Sequence, residues 1–272
     1  MCGRYILIQK AEVLEKRFGI IVPDAIHLVP SYNIAPGKLA PVITNDHPHE
    51  IQLFRFGMTP SWMTKPGLLI NARAEGDHNS DNNPIYNGAK GIITKPAFRK
   101  PIRSQRCLIP ADAFIEGPEK EKLSKPFVVY LRDKIRPFAF AGIWDCWKNP
   151  LTSELIYSFA IITTVANELM QKIQHHRSPV ILHRGDEKNW LSDSLPLSEV
   201  TRLLIPYPAE LMNAYPIAPT IKNPVADDPG LIHPAGQRLM SETILRSTSE
   251  VRITGMGSNK DFGFDEGNPL GV

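Results

Sequence analysis

The sequence predicts one α+β domain with a sheet-rich core and a few short helices, and three observations lead to this fold class. Segments rich in β-branched and aromatic residues recur along the chain, and proline or glycine bounds several of them. Helical spacing of apolar residues appears in only a few short windows. The chain shows no internal repeat, and its 25 prolines are spread rather than gathered into one linker, which favours a single domain.

The elements follow from these patterns in chain order. The first helix is the clearest, because Ala11, Leu14 and Phe18 fall on one face and Gly19 follows them. Long irregular stretches and the absence of a G-x-G-x-x-G or Walker loop disfavour a βαβ nucleotide-binding fold. Predicted strands occupy residues 5–8, 41–44, 51–56, 126–131, 137–147, 155–164 and 179–182, and predicted helices occupy residues 10–18, 166–173 and 198–204.

Composition describes an ordinary globular chain of 272 residues with 42% hydrophobic residues and a net charge of +3. No apolar run approaches the ~20 residues that span a bilayer, and the polar start lacks the apolar stretch of a secretory signal. We therefore expect a cytoplasmic protein without a membrane partner. Cys2, Cys107 and Cys146 are too few for a disulfide framework and have no zinc-like spacing, so we expect no metal and no cofactor.

The end of the chain differs in composition from the rest. From about Gly236 the sequence becomes polar and glycine-rich. We therefore predict a domain over residues 1–235 and a tail over residues 236–272 that is mobile or lies on the surface.

The second residue is the most informative position. Removal of Met1 would leave Cys2 with a free α-amine, which together with its thiol forms a 1,2-aminothiol. Such a group condenses with an aldehyde to an imine, and its sulfur then closes a five-membered thiazolidine ring. An α-amine titrates near about 7.7–8.0, against about 10.4 for lysine, so far more of it is unprotonated at neutral pH. The alternative is that Cys2 is merely a small residue after the initiator.

Two stretches place polar groups directly beside apolar strands. Asn71 and Arg73 would share one face of a continuing strand and could bind an oxyanion or a phosphate, although an Arg73–Glu75 pair at a strand end is an alternative. Glu116 follows Phe114 and Ile115, a setting in which desolvation would raise its pKa towards that of a general acid. An exposed glutamate at a strand end is the alternative.

Two further stretches suggest proton transfer and base stacking. His175 and His176 precede a buried-looking strand, where one of them could shuttle protons or cap the preceding helix. Trp62 lies in a proline-flanked loop, where it could stack on a base or pack against the protein. Five cations without an acidic neighbour, which could contact phosphates or simply be solvated, are Lys95, Arg99, Lys100, Arg103 and Arg106.

Short motifs recur throughout the chain in one fixed order. They are Met1-Cys2-Gly3-Arg4-Tyr5, Tyr32-Asn33-Ile34-Ala35-Pro36-Gly37, Phe56-Gly57-Met58 with Pro60 and Trp62, Ile70-Asn71-Ala72-Arg73-Ala74-Glu75, Arg106-Cys107-Leu108-Ile109-Pro110-Ala111-Asp112, Phe140-Ala141-Gly142-Ile143-Trp144 and His175-x-Arg177-x-Pro179. Together and in this order they resemble the SRAP family of SOS-response-associated peptidase-like proteins. The resemblance runs from Cys2 to roughly Pro234.

The resemblance implies a fold, a partner and a reaction. The fold is one compact α+β domain of twisted antiparallel sheets that exposes the N-terminal cysteine in a positively charged cleft. The partner is single-stranded DNA that contains abasic sites, bound by a monomer that associates with the nucleoid when on DNA. The reaction is a thiazolidine crosslink through Cys2 after removal of Met1. Lyase and self-processing peptidase activities accompany it.

The resemblance also implies residue roles. Cys2 is the nucleophile, Asn71 orients the sugar, Glu116 is the acid and base for ring opening and reversal, and His175 shuttles protons, whereas His176 occupies a variable position. The residues assigned to DNA binding are Arg4, Asn33, Pro36, Trp62, Arg73 and Arg99, of which the three arginines would contact backbone phosphates.

The sequence departs from the family pattern at several positions. Gly117 stands where a tryptophan usually follows the glutamate, Ser178 replaces a larger residue and Met63 replaces an aromatic residue. Residues 217–223 match the family only loosely. We expect the loss of the tryptophan to widen or wet the pocket and so to lower the pKa of Glu116.

Two other functions fit parts of the sequence. Class II glutamine amidotransferases also begin Met-Cys-Gly, but Tyr86 precedes the Asn87-Gly88 pair where they have histidine. The chain could also be a non-covalent module for single-stranded DNA that binds through the cations of residues 95–106 and Trp62. A denaturing gel separates this last alternative from a covalent crosslink.

Overall fold

Two β-sheets dominate the computed structural model, which describes residues 2–132 and 136–241. The described strands are β1 Arg4–Leu7, β2 Ser31–Ile34, β3 Leu39–Thr44, β4 Gln52–Phe56, β5 Asn71–Arg73, β6 Arg106–Ala111, β7 Ala113–Glu116, β8 Phe127–Leu131, β9 Phe138–Lys148, β10 Leu155–Val165, β11 Arg177–Pro179, β12 Ile181–Leu182 and β13 Met212–Pro216. The described α-helices are α1 Ala11–Phe18, α2 Pro101–Ser104, α3 Glu168–Lys172, α4 Glu187–Leu191 and α5 Leu197–Arg202. The chain is therefore a sheet-rich α+β protein, as predicted.

The larger sheet closes into a ring. Its strands run in the order β11-β10-β4-β3-β6-β9-β12, and β9 also pairs with β10. Strand β5 joins the free edge of β10 beyond β4, with Asn71 opposite Ile161 and Arg73 opposite Thr163. Most neighbours are antiparallel, as predicted, but β10 runs parallel to both β4 and β5. The second sheet has the order β13-β8-β7-β1-β2 and is antiparallel throughout.

Aromatic residues fill the space between the two sheets. The rings of Phe56 and Phe159 stack with centroids 5.2 Å apart, and Tyr5 of β1 packs edge-on against Phe56 and Phe140. Rings of this size bury a large apolar area, and edge-to-face pairs add a further ~0.5–1.5 kcal/mol each. Because Tyr5 anchors β1 in this core, the segment that begins with Cys2 is held at its edge.

The predicted elements are found close to their predicted positions. All seven predicted strands and all three predicted helices are present, and α1 ends at Gly19, whose φ of 66° is the left-handed value that glycine favours. The sequence analysis gave no strand range for β2, β6, β7 and β13 and no range for the short helices α2 and α4, and it anticipated β5 only as the continuing strand of Asn71 and Arg73. Within the described ranges, no helix is long and apolar enough to cross a membrane. Residues 242–272 of the predicted tail lie outside the described residues.

Candidate active site

A cleft of about 860 Å³ opens between the two sheets beside the first residues of β1. Gly3 and Arg4 form one wall, and the end of β7 with the loop that follows it forms another. The turn that precedes β11 closes the cleft with His175 and His176. Three separate parts of the sequence therefore meet at one depression.

Cys2 lies behind the cleft wall, directly before Gly3 and Arg4, which line the cleft. The side-chain amide of Asn71 donates to the carbonyl oxygen of Cys2 at 3.1 Å, so β5 holds the backbone of Cys2 in place. The resemblance implied an exposed cysteine, but Cys2 is only 1% exposed because its thiol packs into the aromatic core with Tyr5. Burial raises the pKa of the Cys2 thiol far above its usual value, so the sulfur is a neutral thiol here.

Glu116 and His175 face each other in the cleft wall. The Oε1 of Glu116 lies 3.4 Å from the Nε2 of His175, and both side chains are buried. Burial raises the pKa of Glu116 to about 7 and lowers the pKa of His175 to about 3. Desolvation disfavours the charged form of each group, so near neutral pH the histidine is neutral and the carboxyl is poised between its two forms.

The burial of Glu116 contradicts the expectation based on Gly117, the residue that stands in place of a tryptophan. We expected the missing tryptophan to wet the pocket and lower the pKa of Glu116, but the pKa is raised. The reason is the loop after β7, which folds back so that a Cβ at position 117 would lie 1.9 Å from the carbonyl oxygen of Lys122. Backbone therefore occupies the space that a larger side chain would need, and Glu116 stays only 6% exposed.

The backbone of Arg177 orients the ring of His175. The Nδ1 atom lies 3.0 Å from the carbonyl oxygen of Arg177 and 3.3 Å from its amide nitrogen. With the proton on Nδ1 donated to that carbonyl, the lone pair on Nε2 is directed at Glu116. His176 stacks on His175 but pairs with Glu119 at 3.2 Å. The sequence left the choice of histidine open, and only His175 faces Glu116.

A second glutamate lies behind this pair. Glu75 is fully buried, and its Oε2 accepts a hydrogen bond from Arg177 at 2.6 Å. The alternative Arg73–Glu75 pair is not formed, since the Arg73 guanidinium instead donates to the carbonyl of Asn79 and the side chain of Asn82. Arg73 and Asn71 both lie on β5, as predicted.

The residues assigned to DNA binding occupy different environments. Arg4 and Pro36 line the cleft, and a guanidinium nitrogen of Arg4 donates to the carbonyl of Lys222 at 3.4 Å. Asn33 has no exposed surface, because its amide donates to backbone carbonyls of the loop over residues 221–226. It supports that loop and offers no surface for direct contact. Arg99 is exposed, and its contact with DNA stays a prediction.

The loop of Trp62 stands out from the surface. Trp62 is 63% exposed, while its neighbours are fixed: Ser61 donates its amide to Asp145 at 2.8 Å, and the indole of Trp147 donates to Met63 at 2.6 Å. An exposed aromatic ring on a held loop suits base stacking. Trp62 does not line the cleft, so this role also stays a prediction.

The basic stretch of residues 95–106 does not act as one surface. Arg106 is only 1% exposed, and its guanidinium donates to the carbonyls of Trp190 and Ser192 at 2.7 Å each. It is structural rather than a phosphate contact. Lys95 pairs with Asp77.

Sequence reasoning missed the cations that do line the cleft. Lys120 and Lys122 lie on the loop after β7, and Lys222 reaches Ser124 of the same loop at 2.7 Å. Their scatter among glutamates in the sequence hid them, and only the fold brings Lys222 to this rim. Among the described residues, no group of three or more histidine, cysteine, aspartate or glutamate side chains could hold a metal ion.

Comparison with known proteins relates this geometry to other chains. Residues 1–224 match the family model described as SOS response associated peptidase (SRAP). Over 242 residues the chain is 35% identical to the abasic site processing protein YoqW of Bacillus subtilis (strain 168), covering 85% of this chain and 99% of that protein. It is 26% identical over 262 residues to the abasic site processing protein HMCES of Gallus gallus, covering 85% of this chain and 74% of that protein. A crystal structure of a protein from Bacteroides thetaiotaomicron, 29% identical, matches with a TM-score of 0.69 over 86% of this chain and all of that chain.

Proposed function

The chain belongs to the SOS response associated peptidase (SRAP) family, and from this premise we propose that it processes abasic sites by crosslinking to them through Cys2. Proteins similar to it are named abasic site processing proteins. We place the crosslink on single-stranded DNA, with accompanying lyase and self-processing peptidase activity. The proposal rests on one observation above all, the convergence of Asn71, Glu116 and His175 on the segment that begins with Cys2. Family membership leaves the glutamine amidotransferase alternative without support.

The crosslink is a condensation that releases one water. Once Met1 is removed, the α-amine of Cys2 adds to the aldehyde carbon of the ring-opened abasic sugar and forms a carbinolamine. Loss of its hydroxyl as water gives an imine. The thiol then adds to the imine carbon: a carbon–sulfur bond forms, the thiol proton leaves sulfur, and the nitrogen gains a proton. Proximity favours this closure because nitrogen and sulfur belong to the same residue.

Glu116 and His175 supply the proton transfers. A carboxyl with a pKa of about 7 holds a proton that it can give to the departing hydroxyl, and in its ionised form it can take one from the amine. Neutral His175 can accept a hydrogen bond on Nε2 from the protonated carboxyl of Glu116, 3.4 Å away, and so orient that proton. The same pair run in reverse would open the ring of the adduct.

The side chain of Asn71 can bind the backbone of Cys2 and the abasic sugar at the same time. Its amide nitrogen holds the carbonyl of Cys2, and its Oδ1 has no hydrogen-bond partner among the described residues. A buried acceptor of this kind gains from a donor such as a sugar hydroxyl. Arg4 and the lysines of the cleft rim would hold the flanking phosphates.

The test is a denaturing gel. The protein with Met1 removed, as verified by intact mass, is incubated with a single-stranded oligonucleotide that carries one abasic site. We expect a stable protein–DNA adduct that is absent with an undamaged oligonucleotide. We expect no adduct from Cys2→Ala or from a variant with residues inserted before Cys2, since both remove the aminothiol.

Cys146 provides the matched control. It is more accessible than Cys2, so a reaction that needs only an available thiol would use it first. We expect Cys146→Ala to crosslink at the wild-type rate. Full crosslinking by Cys2→Ala together with its loss in Cys146→Ala would refute the proposal.

A further inference from the structure

The ion pair between Glu75 and Arg177 crosses the strand that lies between them. Strand β5 runs along one edge of β10, with Arg73 opposite Thr163, and β11 runs along the other edge, with Arg177 opposite Val165. Glu75 follows β5 by two residues and meets Arg177 at 2.6 Å. The pair therefore ties two strands that make no direct contact in the sheet.

Strand β10, which lies between β5 and β11, makes hydrogen bonds to both members of the ion pair. Its Thr164 hydroxyl donates to the Oε1 of Glu75 at 2.9 Å, and its Thr163 carbonyl accepts from the guanidinium of Arg177 at 2.9 Å. Glu75 is fully buried and Arg177 is 3% exposed. Charge-assisted bonds of this kind are directional and strong away from water.

Each tied strand carries or adjoins a polar residue of the candidate site. Asn71 starts β5, and His175 lies two residues before β11 with its Nδ1 against the backbone of Arg177. The ion pair thus fixes the backbone that orients His175 relative to the strand that holds the carbonyl of Cys2.

We propose that Glu75 is a positioning residue that, through Arg177, holds His175 in register with Glu116 and Asn71. Glu75 itself has no exposed surface, so it presents no face to a substrate. The inference rests on the proposed function for the reaction it serves. A misplacement of about 1 Å by a change remote from the reacting atoms can lower a rate by about 100-fold.

The chain contains a comparable ion pair for control. Arg17 and Glu187 pair through two hydrogen bonds of 2.6 and 2.9 Å, and both side chains are at least nine-tenths buried. Neither lines the cleft. A general effect of losing a buried Arg–Glu pair would appear in both places, whereas a positioning effect would appear only at Glu75.

The experiment compares Glu75→Gln with Glu187→Gln in the full chain with Met1 removed. One measurement is the crosslinking rate at saturating abasic-site oligonucleotide, and the other is the affinity for an oligonucleotide with an unreactive, reduced abasic site. For Glu75→Gln we expect the rate to fall by about 10- to 100-fold while the affinity changes less than twofold. For Glu187→Gln we expect the wild-type rate at a temperature where the variant is folded. A wild-type rate in Glu75→Gln, or an equal loss of rate and affinity, would overturn the inference.

Nitrogen-15 NMR of the His175 ring separates this inference from the proposed function. We expect wild-type His175 to carry its proton on Nδ1 and Glu75→Gln to populate a mixture of tautomers, whether or not the wild type crosslinks. An unchanged tautomer overturns the inference, and absence of crosslinking by the wild type overturns only the proposed function. If Glu75→Gln does not fold, Thr164→Val removes one donor to Glu75 and keeps the charges. A decrease in rate of about two- to fivefold is then expected, and no decrease overturns the inference.

Discussion

Two buried glutamates near the cleft, Glu116 and Glu75, have pKa values shifted in opposite directions. Glu116 is the last residue of β7, Glu75 follows β5 by two residues, and neither is more than 6% exposed. Burial raises the pKa of Glu116 to about 7. At Glu75 burial also raises the pKa, but the charge and the hydrogen bond of Arg177 outweigh it, and the pKa lies below its usual value.

The partner decides the difference. Arginine stays charged, so it compensates the carboxylate that it contacts and fixes the pair as two ions. His175 has its own pKa lowered by burial, so it offers Glu116 a neutral acceptor instead. Equal burial thus produces a structural ion pair behind the cleft and a proton-transfer pair within it.

The largest expected effect comes from breaking the charged pair. Arg177→Met leaves the carboxylate of Glu75 buried without a cation, which costs about 3–5 kcal/mol in the free energy of unfolding. His175→Gln removes a neutral partner and is expected to cost only about 1 kcal/mol. Urea denaturation of both variants at pH 7 measures the difference. Equal losses would mean that the two glutamates do not differ in charge.

A somewhat smaller effect is expected from titrating the neutral pair. Because the pKa of Glu116 is raised in the folded state, its contribution to stability is fully present below its usual pKa of 4.5 and is lost as the pH rises through about 7. Glu116→Gln cannot ionise and avoids this loss. We expect the stability of the variant relative to the wild type to rise between pH 4.5 and pH 8, by on the order of 3 kcal/mol over that range.

Denaturation midpoints of the wild type and Glu116→Gln across this pH range provide the measurement. Glu75 has the opposite sign: its pKa is lowered, so its stability is present at neutral pH and is lost as the pH falls below the usual value for a carboxyl group. A stability difference between wild type and Glu116→Gln that does not grow with pH would remove the distinction between the two glutamates.

The sequence predicted one of these glutamates and not the other. Phe114 and Ile115 predict that Glu116 is desolvated, because apolar neighbours on a strand bring the following residue into the core. The partner of Glu75 lies 102 residues away, and nothing local distinguishes it from Arg73, two residues before. Local pattern therefore found the carboxyl group whose state depends on burial, and missed the one whose state depends on a distant cation.

The limited reach of local sequence patterns also explains the other features that the sequence analysis did not predict. Strand β6 contains Pro110, and a proline cannot donate to a ladder, so the segment did not resemble a central strand. Arg106 looked like part of a solvated basic stretch. Its guanidinium instead donates hydrogen bonds to backbone carbonyls more than 80 residues away in the sequence. The family resemblance named Glu116 and His175, which the structure brings within 3.4 Å of each other, whereas the burial of Cys2 emerged only from the packing of β1.

Substitution of Gly117 tests whether the exclusion of water raises the pKa of Glu116. Gly117→Ala would place a Cβ 1.9 Å from the carbonyl of Lys122 and force the loop after β7 outward. We expect a loss of about 1–3 kcal/mol in stability, as for other overpacking changes, and a lower pKa for Glu116 as water enters. Carbon-13 NMR of the Glu116 carboxyl during a pH titration measures that pKa. Gly185→Ala is the control, since a Cβ at that position meets nothing within 4 Å.

The smallest effect is expected at the cleft rim, where neither glutamate pair is disturbed. Lys222 is exposed, and its ammonium group donates to Ser124 across the mouth of the cleft. If it contacts one phosphate of single-stranded DNA, Lys222→Ala should reduce the slope of log affinity against log salt by about 0.7. Binding of an unreactive abasic oligonucleotide between 50 and 200 mM salt, roughly the range in which such slopes are resolved, gives the value. Lys188→Ala, on α4 and away from the cleft, should leave the slope unchanged. An unchanged slope in Lys222→Ala would mean that the DNA enters the cleft along another wall. We expect the stability of this variant and the pKa of its Glu116 to keep their wild-type values, so that result would concern the path of the DNA alone.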